Sequence, residues 1–288
     1  MVEHRTLEVP GARIAYDVRG PLPPAAGPVL LLVGQPMTAD GFATLASHFP
    51  DRTVVTYDPR GLGRSTRDDG ETEHDPEQQA EDLHALVAAL EAGPVELFAS
   101  SGGAVTALAL VAAHPEDVST LVAHEPPLVG LLPDAEHALA ASALVTRTYQ
   151  ERGWGAGMAM FIAMTSWHGE LTPDFGAEPP DPAAFGLPTE DDGQRDDPLL
   201  SGRSARVSEY LPDVEALRAA STRIVVAAGV ESRGLMTWRT TVALADALEV
   251  PLTEFPSHHG GFLGGEFGQA GEPLAFATRL HEVLDGAG

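Results

Sequence analysis

Residues 97–105 read LFASSGGAV and carry the clearest indication of the fold. In this stretch, an apolar, strand-like run leads through a cluster of small residues into a helix-like run. When a serine lies on such a sharp turn its backbone is strained, and the residues two positions before and after it must lack bulk. Ser101 meets this requirement, because Ala99 and Gly103 occupy those positions. The pattern therefore predicts a serine side chain presented at the tip of a strand-to-helix turn.

Two serines compete for this position. Ser100 would have the bulky Phe98 two residues before it, which is a poor fit for a crowded turn, so the pattern favours Ser101. The backbone N–H of Gly102 would lie at a helix N-terminus, where free donors and the helix dipole favour a negatively charged oxygen. A glycine-rich turn without any chemistry is the competing interpretation of this stretch.

Short apolar segments alternate with longer helical segments on both sides of this turn. Such a rhythm is typical of βα units and predicts a mostly parallel sheet in an α/β fold. The predicted strands cover residues 5–9, 12–18, 29–33, 52–57, 95–98, 118–123, 223–228 and 251–255. The predicted helices that accompany them cover residues 76–91, 103–113, 236–248 and 272–284.

The rhythm breaks between about residue 129 and residue 212, where no convincing strand is found. This segment contains predicted helices at residues 134–150, 155–167, 201–210 and 212–220, and a Pro-, Gly- and Asp-rich loop at residues 171–200. The simplest architecture is an α/β core formed by residues 1–128 and 213–288, with a helical cap of residues 129–212 inserted between two of its strands.

Composition narrows the classes of partner. The chain has 288 residues, a formal net charge of −25, no cysteine and no lysine. An acidic surface repels phosphate backbones and anionic membranes, so we expect neither nucleic acid nor membrane partners. The missing residue types exclude disulfides, thiolate metal sites, a cysteine nucleophile and Schiff-base lysine chemistry. A small-molecule substrate is the expected partner, and the sequence leaves the oligomeric state open.

Local patterns predict neither export nor metal binding. No apolar run approaches the roughly 20 residues that a membrane-spanning helix needs. The N-terminal segment lacks a basic start followed by an apolar stretch, so we expect a cytoplasmic protein. The eleven histidines are scattered without His-x-x-x-His spacing, and the sequence therefore predicts no metal site.

Three further motifs accompany residues 97–105. They read LLVGQP at residues 31–36, YDPRGLGRS at residues 57–65 and HHGGF at residues 258–262. Together the four motifs resemble those of the α/β-hydrolase superfamily over nearly the whole chain. The resemblance implies an α/β-hydrolase fold, with a mostly parallel central sheet flanked by helices and a helical cap insertion, and a hydrolase that needs no cofactor.

The resemblance also assigns candidate roles to single residues. It implies that Ser101 is the nucleophile and that His259, directly before Gly-Gly-Phe, is the general base, with the neighbouring His258 as the alternative. Backbone N–H groups of Gln35 and Gly102 would form the oxyanion hole. The family usually has histidine before the glycine of the first loop, where this chain has Val33.

The acid of the expected catalytic triad has two candidates. The resemblance places an aspartate after the strand at residues 223–228, but Ser232 stands there and cannot hold a negative charge against an imidazolium. Glu125, which follows the strand at residues 118–123, is favoured because a carboxylate there can reach the histidine. Glu231 is the alternative.

The predicted reaction is cleavage of a small, largely apolar ester, lactone or thioester through an acyl-enzyme. Cofactor-free perhydrolase or haloperoxidase activity and carbon–carbon bond hydrolysis are alternatives on the same triad. A non-catalytic small-molecule binding protein is the alternative from another class. The residues predicted to line the substrate pocket are Met37, Trp154, Met158, Phe161, Trp167 and His168.

Overall fold

A computed structural model describes residues 2–286, so positions 1, 287 and 288 of the predicted core lie outside the described residues. Within this range the chain forms one nine-stranded sheet in the order β1-β2-β4-β3-β6-β7-β8-β9, with β5 paired to β2. The strands are β1 Val2–Val9, β2 Ala12–Arg19, β3 Leu30–Gln35, β4 Val54–Tyr57, β5 Thr66–Arg67, β6 Val95–Ser101, β7 Val118–His124, β8 Arg223–Gly229 and β9 Leu252–Phe255. Pairs that involve β1 or β2 are antiparallel and the other pairs are parallel, which confirms the predicted α/β sheet.

Helices cover both faces of the sheet. The α-helices within residues 2–286 are α1 Ala43–Ser47, α2 Pro76–Leu90, α3 Gly102–Ala113, α4 Ala135–Thr165, α5 Ala205–Glu209, α6 Val214–Ala219, α7 Met236–Leu248 and α8 Pro273–Leu284. Side chains from α2, α3, α6 and α7 join one apolar cluster, and those from α1 and α8 join a second. Alternate residues of a strand point to opposite faces, so Leu97 enters the first cluster and its neighbour Phe98 enters the second.

Local sequence explains where α2 begins. The side chain of Asp75 accepts hydrogen bonds from the backbone N–H groups of Glu77 (2.9 Å) and Gln78 (3.3 Å), which have no partner inside the helix. Pro76 is the first helical residue, where its missing N–H costs nothing. The predicted helix at residues 76–91 is confirmed to within one residue.

No strand forms between β7 and β8, in residues 129–212. The predicted helices at residues 134–150 and 155–167 are confirmed as the two halves of α4, which is interrupted where Gly153 has a φ of 82° and a ψ of −176°. The helices predicted at residues 201–210 and 212–220 are shorter than expected, as α5 and α6. No sequence pattern predicted α1 and β5, because both are too short to produce a periodic pattern.

The carboxyl ends of β6, β7, β8 and β9 lie side by side, because these neighbouring strands are parallel. Ser101 ends β6, Glu125 directly follows β7, and the loop with His259 follows β9. The fold therefore carries three sequence-predicted residues to one edge of the sheet. None of the helices in residues 2–286 has the length and apolar character needed to cross a membrane.

Candidate active site

The backbone at Ser101 has the strain that the sequence pattern predicts. Its φ is 58° and its ψ is −131°, in a region that residues with a side chain rarely adopt. Small neighbours are required, since a Cβ atom on Gly103 would lie 2.6 Å from the carbonyl oxygen of Val33 and 2.7 Å from the Cα of Gly34. A larger residue at position 103 would therefore push α3 away from β3.

Positive φ values recur around this edge of the sheet. Of the residues other than glycine, Ser101, Glu125 (φ 48°) and Ser257 (φ 69°) all have one. Each of them lies at or just after the carboxyl end of a strand in the parallel part of the sheet. Glu91 and Glu249, in contrast, have positive φ only as left-handed C-caps of helices. Strained residues that are not helix caps are common at functional sites.

Glu125 is a fully buried carboxylate whose two oxygens both have donors. Its Oε1 accepts a hydrogen bond from the backbone N–H of Gly229 (2.9 Å), and its Oε2 accepts one from the hydroxyl of Thr237 (2.7 Å). The Oε2 atom also lies 2.7 Å from Nδ1 of His259. Burial alone would raise the pKa of Glu125, but the hydrogen bond and charge of His259 outweigh burial and hold that pKa below its usual range.

The contact with Glu125 determines which nitrogen of His259 is available for chemistry. An ionised carboxylate can only accept hydrogen bonds, so Nδ1 of His259 carries a proton and donates it to Glu125. Nε2 of the neutral ring is then an acceptor. The side chain of His259 is 41% exposed, so a ligand can reach this nitrogen. No hydrogen bond joins Ser101 to His259 within residues 2–286, and such contacts often tighten only when substrate binds.

The alternatives left open by the sequence lie apart from this contact. Glu231 is exposed, and its backbone N–H bonds to the carbonyl oxygen of Ser257. His258 faces its own loop, where its Nδ1 accepts a hydrogen bond from the N–H of Gly260 (3.0 Å). The structure therefore brings Glu125 and His259 together, and leaves Glu231 and His258 outside the pair.

Ser100, the competing serine, belongs to a buried pair with His124. The Oγ of Ser100 lies 3.0 Å from Nδ1 of His124, and neither residue is more than 2% exposed. Nε2 of His124 has no hydrogen-bond partner among the described residues. Burial lowers the pKa of His124 to about 4, with Glu125 opposing and His259 adding to the shift. His124 is therefore neutral near pH 7.

Gln35 has a buried polar environment that the sequence did not indicate. It ends β3 opposite Ser101 in the sheet register, and its side chain is buried. Its Nε2 lies 2.5 Å from Nδ1 of His74 and 3.3 Å from the hydroxyl of Ser204. Burial, together with the charges of Arg67 and Arg203, lowers the pKa of His74 to about 4, which keeps its ring neutral and able to accept. His74 and Ser204 lie in irregular segments, where no periodic pattern marks them.

Gly102, at the start of α3, lies against Gln35, at the end of β3. Gly102 is the first residue of α3, so its N–H is not used inside the helix. A Cβ atom on Gly102 would lie 2.7 Å from the carbonyl oxygen of Gln35, which explains why glycine is needed here. Val33, at the position of the missing histidine, is fully buried in the apolar cluster that contains Leu97.

Comparison with known proteins identifies the family. Residues 27–163 match the family model of the alpha/beta hydrolase fold. The Bacillus subtilis (strain 168) protein named "Uncharacterized hydrolase YraK" is 32% identical over 298 residues, which span 99% of this chain and 97% of the relative. The chain belongs to the α/β-hydrolase superfamily.

Solved structures agree with this assignment of the fold. A thermophilic esterase from Thermogutta terrifontis matches this α/β hydrolase with a TM-score of 0.66 and 19% identity, over 99% of each chain. The enol-lactonase from Burkholderia xenovorans LB400 matches with a TM-score of 0.64 and 16% identity, over 98% of this chain and 100% of that one. At such identities the likeness supports the α/β-hydrolase fold and carries no substrate with it.

A cavity of about 160 Å³ lies between α4 and the segment that contains α5. Apolar side chains dominate one part of its wall: Leu139, Val145, Phe161, Met164 and Leu199. Ser204 also lines it and contacts Gln35, whereas Ser101, Glu125 and His259 do not line it.

Of the six residues predicted to line a pocket, the cavity includes only Phe161. Trp154 and Met158 pack against a third apolar cluster, which contains Val145 and Met160 of α4. Met37 packs beside the cluster that contains Phe98. Trp167 and His168 are exposed at the end of α4.

Proposed function

We propose that this α/β hydrolase cleaves a small, largely apolar ester, lactone or thioester through an acyl-enzyme on Ser101. The observation that carries the proposal is the 2.7 Å contact between Nδ1 of His259 and the buried carboxylate of Glu125, at the sheet edge that holds the strained Ser101. A histidine fixed in this tautomer has its second nitrogen free to act as a general base.

The first half of the reaction acylates the serine. Nε2 of His259 removes the proton from the Ser101 hydroxyl while Oγ attacks the carbonyl carbon of the substrate. The backbone N–H groups of Gly102 and Gln35 stabilise the negative oxygen of the tetrahedral intermediate. As the intermediate collapses, His259 gives its proton to the departing alcohol or thiol, and the acyl group remains bonded to Ser101.

The second half hydrolyses the acyl-enzyme. His259 removes a proton from a water molecule, which attacks the acyl carbonyl, and then returns that proton to Ser101 as the acid product leaves. Glu125 keeps its negative charge throughout, because its role is to orient the ring of His259 and to stabilise the imidazolium form. Its low pKa and its three donors are consistent with that role.

The cavity in the helical segment supports an apolar substrate. We propose that residues 129–212 act as a cap and that the cavity holds the acyl chain of the substrate. The cavity wall is rich in apolar side chains, and the strongly acidic chain disfavours anionic substrates. Two of the structural neighbours are an esterase and an enol-lactonase, whose substrates belong to the same class of carboxylic esters.

Hydrolysis of p-nitrophenyl esters tests this function. We expect the wild-type chain to hydrolyse short acyl esters, and Ser101→Ala to lose about 10⁴-fold or more in kcat, as is typical when a triad member is removed. Ser100→Ala is the matched control and should keep activity within tenfold, because Ser100 bonds to His124 rather than to His259. Retention of activity in Ser101→Ala, in a preparation free of other esterases, would contradict the proposal.

A comparison of two aromatic residues tests the assignment of the cavity. Phe161→Ala should enlarge the cavity and shift the preference in kcat/KM toward longer acyl chains by about tenfold, the usual effect of one or two methylenes in an apolar pocket. Trp167→Ala is the control, since Trp167 is exposed and lies outside the cavity. Equal chain-length profiles for both variants would place the acyl chain elsewhere.

A further inference from the structure

A second cluster of titratable side chains lies away from the candidate active site. His84 belongs to α2, His114 directly follows α3, and Asp117 ends the short turn that leads into β7. One possible ligand atom from each lies within 4.8 Å of those of the other two. This cluster precedes the amino end of β7, whereas Glu125 follows its carboxyl end, so the two sites lie at opposite edges of the sheet.

The side chains of the cluster are already in contact. Nδ1 of His84 lies 2.6 Å from Oδ2 of Asp117, and Nε2 of His114 lies 2.9 Å from Oε1 of Glu81. The two imidazole rings stack with centroids 3.8 Å apart and planes 13° from parallel. Glu81 lies one helical turn before His84 on α2, so it faces the same cluster.

Among the described residues, no arginine forms an ion pair with the two carboxylates at this cluster, Glu81 and Asp117. Within residues 2–286, the only ion pairs of Asp117 and Glu81 are those with His84 and His114. Neutral histidines would leave both carboxylates without a cation. The whole chain carries a formal charge of −25, which raises the local concentration of cations around it.

We propose that His84, His114 and Asp117 bind a divalent transition-metal ion of the Zn²⁺ type, with Glu81 or water as the fourth ligand. Imidazole nitrogen and carboxylate oxygen are the ligands that such ions prefer outside cysteine sites. A tetrahedral zinc ion with bonds of about 2.0–2.1 Å needs its ligand atoms roughly 3.3 Å apart. The 2.6 Å contact between His84 and Asp117 would therefore open by about 0.7 Å, and separations of up to 4.8 Å between the other ligand atoms would close. The stacked rings of His84 and His114 would turn so that both nitrogens point at the ion.

The site would join two consecutive helices to the turn that precedes β7. Its ligands come from α2, from the end of α3 and from the turn before β7, so no local spacing of histidines announces it. An ion held by all three would stabilise the folded chain, since the unfolded chain cannot present these ligands together. The residues lie outside the proposed catalytic machinery, and their effect on ester hydrolysis should be small.

Zinc binding by the tag-free full-length chain tests the proposal. After chelator treatment, equilibrium dialysis against ZnCl₂ should give one bound equivalent removed by either His84→Gln or His114→Gln. Each variant should bind at least about tenfold more weakly, because even the loss of an outer-shell partner costs that much. The melting temperature of the wild type should rise with ZnCl₂ and that of the variants should not. His137→Gln, which changes a histidine outside the cluster, is the matched control and should behave as wild type.

A site-resolved measurement guards against variants that fail to fold. In the wild-type chain, the imidazole resonances of His84 and His114 should be the first to shift in NMR spectra as ZnCl₂ is added. The proposal is overturned if zinc fails to bind, if all four proteins bind it equally, or if other histidines respond first. Each of these outcomes would leave the cluster as a hydrogen-bonded, stacked contact between α2 and α3.

Discussion

Two serine–histidine neighbourhoods lie one residue apart along β6, and they differ in access. Ser100 and His124 form a closed pair with at most 2% exposure and a 3.0 Å hydrogen bond. Ser101 lies on the strained turn instead, and the nearby His259 is 41% exposed and contacts Glu125. The same residue types can therefore form a structural contact on one side of a strand and a candidate catalytic site at its end.

A buried carboxylate makes the chemical difference between the two histidines. Glu125 fixes a proton on Nδ1 of His259 and can stabilise its positive form. His124 has no carboxylate on its ring, and burial keeps it neutral. Because Ser100 and His124 are both buried, a substrate cannot reach Ser100.

Replacing the carboxylate should produce the largest change. We expect Glu125→Gln to lower kcat by about 10⁴-fold, because the amide can donate to Nδ1 and so hold His259 in the wrong tautomer. Glu231→Gln is the matched control and should remain within tenfold of wild type, since that side chain is exposed and outside the contact. The kcat of each variant is measured on one p-nitrophenyl ester. Equal losses of kcat in both variants would contradict the assignment of Glu125 as the acid.

The buried histidine should make stability depend on pH. The folded pKa of His124 is about 4, against an ordinary value of 6.5. As the pH falls below 6.5 the unfolded chain takes up a proton that the folded chain refuses, so stability is lost down to about pH 4. Between pH 7 and pH 5 this single group should remove about 2 kcal/mol of unfolding free energy.

Urea unfolding at the two pH values measures this loss. His124→Phe should reduce the loss by about 2 kcal/mol relative to wild type, even if the variant is less stable at both pH values. His74→Gln should reduce it by a similar amount, because burial also lowers the pKa of His74 to about 4. An unchanged loss in both variants would show that neither ring is kept neutral by the fold.

Loss of the hydrogen bond between Ser100 and His124 should have the smallest effect on the protein. Ser100→Ala leaves Nδ1 of His124 without its partner, beside an Nε2 that already lacks one. We expect the unfolding free energy to fall by about 1–2 kcal/mol at pH 7, the usual effect of leaving a buried polar group unsatisfied. Urea denaturation gives this value. A Ser100→Ala variant of normal stability but no activity would reverse the roles of the two serines.

The sequence predicted the sheet edge well because parallel strands impose their own geometry. Once β6, β7 and β9 were recognised as strands of one sheet, residues at their carboxyl ends had to lie near each other. Ser101 and His259 follow from this rule. The choice between Glu125 and Glu231 did not follow, because it depends on how the backbone turns after each strand, and a positive φ at Glu125 leaves little trace in the sequence.

The helical segment between β7 and β8 was harder to predict, because it lacks the geometric constraint that parallel strands impose. Residues 129–212 contain no strand, so no shared register fixes which side of α4 faces the cavity. Apolar spacing identified the helices but not the cavity, and Trp167 lies at the surface instead. His84 and His114 illustrate the same limit, since their contact arises from the packing of α2 on α3 rather than from any local pattern.

Labelling with a fluorophosphonate, followed by peptide mapping, shows whether Ser101 is an activated serine. The reagent bonds to a serine only when a neighbouring base activates the hydroxyl, and mapping distinguishes Ser101 from Ser100. We predict a single modification on Ser101 in the wild-type chain, strongly reduced in His259→Ala and Glu125→Gln and unchanged in Glu231→Gln. A folded wild-type chain that remains unlabelled, or that is labelled on Ser100, would contradict the account and favour a binding protein built on the same fold.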